Sequence, residues 1–184
     1  MGRNKAEIPW GGGTLLSHAV EQMRQVARKV SIVGGEQESI GLETVRDELP
    51  GCGPLAGIHA ALRSTSTEWN LVVAVDMPLV NTKILSFIAG KAMDDEAFAA
   101  AVPKIAGTLQ PLCGMYSRSF LAEIDRALKD RQLSIHRLLE QVKTRIIEEN
   151  EFVNGGFVPE MFLNVNTPED LERARLIAKN LNVE

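Results

Sequence analysis

Cysteine is almost missing from this chain: two residues, Cys52 and Cys113, stand far apart and outside any C-x-x-C spacing. That excludes a disulfide-stapled fold and a thiolate metal cluster, and it suits the reduced, non-ligating thiols of a cytoplasmic protein. Histidine is scarce as well, and His18, His59 and His136 share no ligand spacing. Aromatics make up only 5% of the residues, so the core has to be built from Leu, Ile, Val and Ala. No apolar run approaches the roughly 18 residues of a membrane span, and nothing resembles a signal peptide, which leaves the cytoplasm as the default. An excess of basic charge is missing too. A net charge of −4 argues against a general grip on nucleic acid but leaves room for a local phosphate pocket.

What is present suits one domain over 1–184, with a core large enough to need no disulfide or metal staple. Polar and glycine-rich sequence opens the chain, from Met1 to Gly13. Leu15, Leu16, Ala19, Val20, Met23 and Val26 then follow helical spacing from Thr14 to Lys29, with Thr14 or Gly13 as N-cap. Val30 to Val33 reads as a short strand ended by Gly34-Gly35, and Leu42 to Val45 as another. Pro54 opens a helix through Arg63. Leu71 to Val75 reads as a fully buried parallel strand that delivers Asp76 to its C-terminal edge, where open α/β sheets place their ligands.

A helix over Thr82 to Lys91 follows, then an apolar run at Phe98 to Val102 and an extended piece from Gly107 to Tyr116. Helices over Ser117 to Leu128 and Ser134 to Val142, a strand at Lys143 to Glu148 and an extended Met161 to Val165 come next. Thr167-Pro168-Glu169-Asp170 carries the signature of a helix start, with Thr167 as N-cap, Pro168 at the first helical position and acids in the first turn. Strands alternating with helices predict a mostly parallel, three-layer α/β sheet. The stretch from Glu149 to Glu160 has no clear pattern.

Several residues suggest chemistry. Asp76 offers a hard oxygen at a strand end, suited to Mg²⁺ held largely through nucleotide phosphates and water; its alternative is to cap the next turn. Lys5, clustered with Arg3, has an ammonium that can neutralise phosphate charge, or else is simply solvated. Gly53-Pro54-Leu55-Ala56-Gly57 places a helix N-terminus where an anion or nucleotide can approach, or where backbones merely pack. Asp47 stands just ahead, able to accept hydrogen bonds from a ribose or base, or to be a surface acid. Gln110-Pro111-Leu112 and the pair Asn164 and Asn166 complete the set, for ligand contact or backbone bracing. Cys113, His59 and His136 are assigned to packing or surface.

Taken in order, Met1-Gly2-Arg3-Asn4-Lys5-Ala6, Asp47, Gly53-Pro54-Leu55-Ala56-Gly57, Val75-Asp76-Met77-Pro78, Gln110-Pro111-Leu112 and Leu163-Asn164-Val165-Asn166-Thr167-Pro168-Glu169-Asp170-Leu171 resemble the molybdenum cofactor guanylyltransferase family of nucleotidyltransferases. The resemblance implies a Rossmann-like sheet with nucleotide at the C-terminal strand ends. It implies that Lys5 contacts GTP phosphates, that Asp47 and the Gly53, Pro54 and Leu55 segment contact the nucleotide, and that Asp76 is the Mg ligand. Asn164 and Asn166 match the part near the pterin. The family begins with a strand and a Leu-Ala-Gly-Gly-x-Ser-x-Arg loop that has no counterpart ahead of Met1, and Asn4 stands where an aspartate is usual. Impaired nucleotide binding is the expectation for the chain as it stands.

The implied reaction transfers GMP from GTP to molybdopterin, giving the guanine dinucleotide cofactor and pyrophosphate, with Lys5 and Asp76 as the catalytic residues. The implied partners are these two substrates and, transiently, the proteins that insert or receive the cofactor; nucleic acid and membrane are not among them. An inert truncation product is one alternative, and three others stay open. They are cytidylyl transfer to molybdopterin, nucleotidyl transfer to a sugar phosphate, and a non-catalytic binding module. Related cytidylyltransferases commonly carry a serine-rich stretch in place of Gly53 to Gly57, which leans this sequence towards guanine.

Overall fold

The computed structural model describes residues 4–34, 41–47, 49, 51–95 and 97–181. A helical turn at Lys5–Glu7 leads into a small hairpin of β1 (Pro9–Trp10) and β2 (Gly13–Thr14), then helix α1 (Leu15–Arg24). Thr14 caps α1 as its sequence predicts: its Oγ1 accepts from Ser17 N–H while Ser17 Oγ accepts from Thr14 N–H. β3 (Ser31–Val33) and β4 (Glu43–Val45) pair in parallel as a separate two-stranded sheet. Gly34 ends β3 with φ +76°, while Gly35 lies outside the described residues. After α2 (Pro54–Arg63) and β5 (Trp69–Val73) come α3 (Thr82–Ala92), β6 (Ala100–Ile105), β7 (Thr108–Leu109) and β8 (Cys113–Ser117). The chain ends with α4 (Phe120–Lys129), α5 (Ile135–Gln141), β9 (Thr144–Glu148), α6 (Glu149–Asn154) and α7 (Pro168–Leu181).

The α/β class and the three layers are as expected; the strand directions are not. β5 pairs antiparallel with β8, and β8 and β7 pair antiparallel with β6; within this sheet only β9 runs parallel to its neighbour, β6. The physical reason is the connection after β6. Ala106 (φ +47°) and Gly107 (φ +77°) make a two-residue loop with both residues left-handed, the turn that folds a strand straight back. The sequence carried the signal, since an apolar run at Phe98 to Val102 is followed by extended sequence with no helix between. β5 also departs from expectation. It ends at Val73 rather than Val75, is half-buried along its length, and among the described residues pairs with β8 alone.

Alternation along the strands divides the core. Ala100, Val102 and Tyr116 face Leu55, Ile58 and Leu62 of α2, together with α4 and α5. Ala101, Cys113 and Met115 face α3, α6 and α7, with Phe152 and Phe162 stacked edge-on at 4.9 Å between centroids. Each such ring removes enough apolar surface from water to contribute about 2–3 kcal/mol. The unpatterned stretch after Glu148 becomes α6 and a helical turn at Pro159–Phe162, so Met161 to Val165 is not extended throughout. Phe152 and Phe162 are what seat it: their burial is a tertiary effect that local spacing does not display.

Among the described residues no helix is long and apolar enough to cross a membrane. On the α6 side, Glu151 accepts from Arg145 Nη2 at 2.5 Å and pairs with Lys91 at 3.0 Å. Arg145 first, then Lys91 and the Glu148 N–H, hold its carboxyl at about 2, against an ordinary 4.5. The folded value lies below the unfolded one, so this contribution is complete above the ordinary value and drains away as pH falls towards 2. Glu151→Gln is expected to cost about 1–2 kcal/mol near neutral pH. In urea melts at successive pH values, that difference should shrink steadily through the acid range.

Candidate active site

Asp76 lies three residues past the end of β5, in a turn pinned from both sides. Ala74 N–H donates to the Leu112 carbonyl at 2.7 Å, and Val165 N–H donates to the Asp76 carbonyl at 2.7 Å. Met77, Leu79 and Val80 are buried immediately afterwards. The backbone of the turn is therefore anchored to the core, while the Asp76 side chain keeps 19% of its surface exposed. The backbone of Gln110-Pro111-Leu112 does bracing work: Leu112 O holds Ala74, Pro111 O accepts from Tyr116 Oη at 2.6 Å, and Gln110 N–H donates to Pro103 O at 2.8 Å.

Lys5 reaches this carboxylate from the first described turn. Asn4 Oδ1 caps the turn by accepting from Ala6 N–H, and the buried Ile8 and Trp10 fasten its far end. Lys5 Nζ donates to Asp76 Oδ2 at 2.7 Å and to Asn166 Oδ1 at 2.6 Å. Asn166 is placed by the start of α7. Asp170 Oδ2 accepts from Asn166 N–H at 3.0 Å and Thr167 N–H at 2.8 Å, and Asp170 N–H returns a bond to Thr167 Oγ1 at 3.1 Å. The Asn166 N–H leads the causes that hold the Asp170 carboxyl below its ordinary range. The Thr167 cap read from the sequence thus also orients Asn166. Asn164 is half-buried, and the bracing expected of this segment is done by the backbone of Val165 between the two asparagines.

The remaining predicted residues do not join this cluster. Gly53 caps α2 with φ +55°, a left-handed conformation that glycine adopts without strain, and no side chain caps the helix behind it. Leu55 is fully buried in the core, so only its backbone is available to a ligand. Asp47 is exposed and turns its Oδ1 onto Leu49 N–H at 2.9 Å. Among the described residues no hydrogen bond or ion pair links Asp47 or the Gly53 segment to Lys5, Asp76 or Asn166. Met1, Gly2 and Arg3, the last of these part of the expected basic cluster, lie outside the described residues.

The donor set suits Mg²⁺ but does not complete a shell. Asp76 and Asn166 supply two hard oxygens converging on one cationic group, and no cluster of three or more His, Cys, Asp or Glu able to hold a metal occurs among the described residues. A cation that keeps several waters and takes its other ligands from phosphate fits such a pair. A cavity of about 610 Å³ lies elsewhere, between the β1–β2 hairpin and α7, and its lining includes none of the three cluster residues. The hairpin itself went unread in the sequence, although Gly11-Gly12 between Trp10 and Gly13 is a two-residue turn signal. Gln22 went unread as well. Its Oε1 accepts from Thr82 N–H and Oγ1, tying α1 to the start of α3.

The chain matches the MobA-like NTP transferase domain over residues 1–146. It is 34% identical over 175 residues to a "Probable molybdenum cofactor guanylyltransferase" of Carboxydothermus hydrogenoformans, an alignment covering 94% of this chain and 87% of that protein. Its fold is similar to the solved structure of molybdopterin-guanine dinucleotide biosynthesis protein A from Archaeoglobus fulgidus, with a TM-score of 0.77 and 27% identity over 97% of this chain and 92% of that one. The 2-C-methyl-D-erythritol 4-phosphate cytidylyltransferase of Thermus thermophilus shares the fold at a TM-score of 0.70, with 17% identity over 95% and 94% of the two chains. The α/β architecture with mixed strand directions is therefore a nucleotidyltransferase fold.

Cys113 is no candidate nucleophile: full burial pushes its thiol up to about 12. His59 is spent on Asp125 across α2 and α4 at 3.0 Å, and His136 is exposed. A thiol titration of the native chain should report one reactive cysteine, the half-exposed Cys52, and two after unfolding. Rapid reaction of both in the folded protein would contradict the buried position of Cys113.

Proposed function

The chain belongs to the MobA-like NTP transferase family, and from that premise we propose that it is a molybdenum cofactor guanylyltransferase. The terminal phosphate of molybdopterin attacks the α-phosphate of GTP in line, forming the guanine dinucleotide cofactor and releasing pyrophosphate. The observation that carries the site assignment is the meeting of Lys5, Asp76 and Asn166 from three distant segments on one partly exposed point. Such a point can bind and orient a phosphate chain, and no covalent intermediate is required.

In this reading Asp76 and Asn166 hold Mg²⁺, which when bound with the nucleotide neutralises phosphate charge. Lys5 donates to phosphate oxygens as charge moves to the leaving pyrophosphate, and Asp47 accepts from the ribose or base. The uncapped first turn of α2, behind Gly53 and Pro54, offers backbone N–H groups to an anion. Asn164 lies towards the pterin. Positioning and charge neutralisation supply the acceleration. We place the reaction in the cytoplasm, where GTP is found and where free thiols such as Cys52 and Cys113 persist.

Asp76→Ala is expected to lower kcat/KM by at least about a thousandfold, some 4 kcal/mol of transition-state stabilisation. Pyrophosphate release with molybdopterin as acceptor measures it. In the same assay GTP should be used at least tenfold better than CTP. Preference for CTP, or turnover only with a sugar phosphate, would replace the guanylyl assignment, and undiminished Mg²⁺-dependent turnover in Asp76→Ala would remove Asp76 from the mechanism.

A further inference from the structure

Lys5 stands between two oxygens, Asp76 Oδ2 and Asn166 Oδ1, that are also suited to a metal ion. Its Nζ is 2.7 Å from Asp76 Oδ2 and 2.6 Å from Asn166 Oδ1, with side-chain exposures of 32% for Lys5 and 19% for Asp76. A divalent cation bonded to the Asp76 carboxylate would sit ~2.1 Å from the same oxygen. Ammonium and cation would then lie within a few ångströms of each other in a partly desolvated place, where like charges repel strongly. Lys5 and a cation therefore compete for Asp76 Oδ2 and Asn166 Oδ1. The lysine has the means to leave. Its backbone is fixed by Ile8 N–H donating to Lys5 O at 3.2 Å, while its four-carbon stem lets Nζ swing without disturbing that turn.

We propose that Lys5 is the built-in counter-cation of Asp76, and that divalent cation and Lys5 exchange places in one step that a phosphate chain makes favourable. The inference rests on the reading of Asp76 as a cation ligand, and it adds an order to the events. A cation arriving alone must evict an ammonium that gains nothing in exchange but water. A cation arriving with a phosphate chain brings the acceptor onto which Lys5 transfers. Cation and phosphate therefore bind with positive coupling, and by reciprocity each raises the other's affinity by the same factor. The Lys5 ammonium also keeps the Asp76 carboxylate from capturing stray cations unproductively.

Binding of Mn²⁺ to the full chain, followed by the resonance signal of the free ion, tests this without turnover. In the absence of phosphate, Lys5→Met should bind Mn²⁺ about tenfold more tightly than the wild type, and Lys5→Arg should stay close to the wild type. Adding inorganic tripolyphosphate, with the Mn²⁺ it binds in a matched protein-free sample subtracted, should tighten wild-type binding about tenfold or more and do less for Lys5→Met. Equal Mn²⁺ affinity in wild type and Lys5→Met, with binding lost in Asp76→Ala, would overturn the exchange while leaving Asp76 as the ligand. Undiminished binding in Asp76→Ala would instead overturn the ligand assignment, and the exchange with it. Should Lys5→Met fail to fold, ¹⁵N-lysine spectra of the wild type decide. Saturating Mg²⁺ with tripolyphosphate should move the Lys5 Nζ resonance, and an unmoved resonance would overturn the proposal.

Discussion

The contact on which the site depends is a backbone hydrogen bond, from Val165 N–H to the carbonyl of Asp76 at 2.7 Å. It joins the turn after β5 to the segment before α7, and so it decides that the Asp76 carboxylate and the Asn166 amide point at the same place. Lys5 then closes the triangle. Without that backbone bond, Asp76 and Asn166 would be two polar residues at the ends of unrelated elements. With it, they are a pair of oxygens that meet on the Lys5 ammonium.

The rest of the molecule serves this arrangement by making its three supports rigid. The turn bearing Asp76 is backed by Met77, Leu79 and Val80 in the core and held by the Leu112 carbonyl at the head of β8. The α7 end is held by the Thr167–Asp170 cap and by the burial of Ala174 and Ala178. The Lys5 turn is fastened by Ile8 and Trp10, and Arg175 of α7 donates to the Pro9 carbonyl at 3.2 Å, so β1 and α7 brace each other.

Much of this is legible in the amino-acid sequence. Helix starts were legible because caps are local: Thr14, Pro54 and Thr167 all do what their side chains and neighbours dictate within one turn. Asp76 stands out because an apolar strand delivers its carboxylate to a C-terminal edge, where open α/β sheets place their ligands. Asn166 was read as bracing or ligand contact, and it turned out to accept from Lys5. The mostly parallel sheet was misread because alternation of strands with helices was weighed above the short Ala106-Gly107 turn, and strand direction follows the connection. The Gly53 segment and Asp47 were grouped with Lys5 by resemblance. Among the described residues no hydrogen bond or ion pair joins them to Lys5, Asp76 or Asn166.

The amino-acid sequence by itself determined the α/β class, the capped helix starts, the core composition and the identity of the chemical groups, because each depends on residues within a turn of one another. Only the tertiary structure decided the antiparallel pairing of β5, β8 and β6, the seating of α6 through Phe152, and the meeting of Lys5 with Asp76 and Asn166. Those contacts join residues 71 and 161 positions apart. Their formation is paid for by burial across the whole core, and no local pattern encodes the distance between two side chains that only a completed sheet brings together.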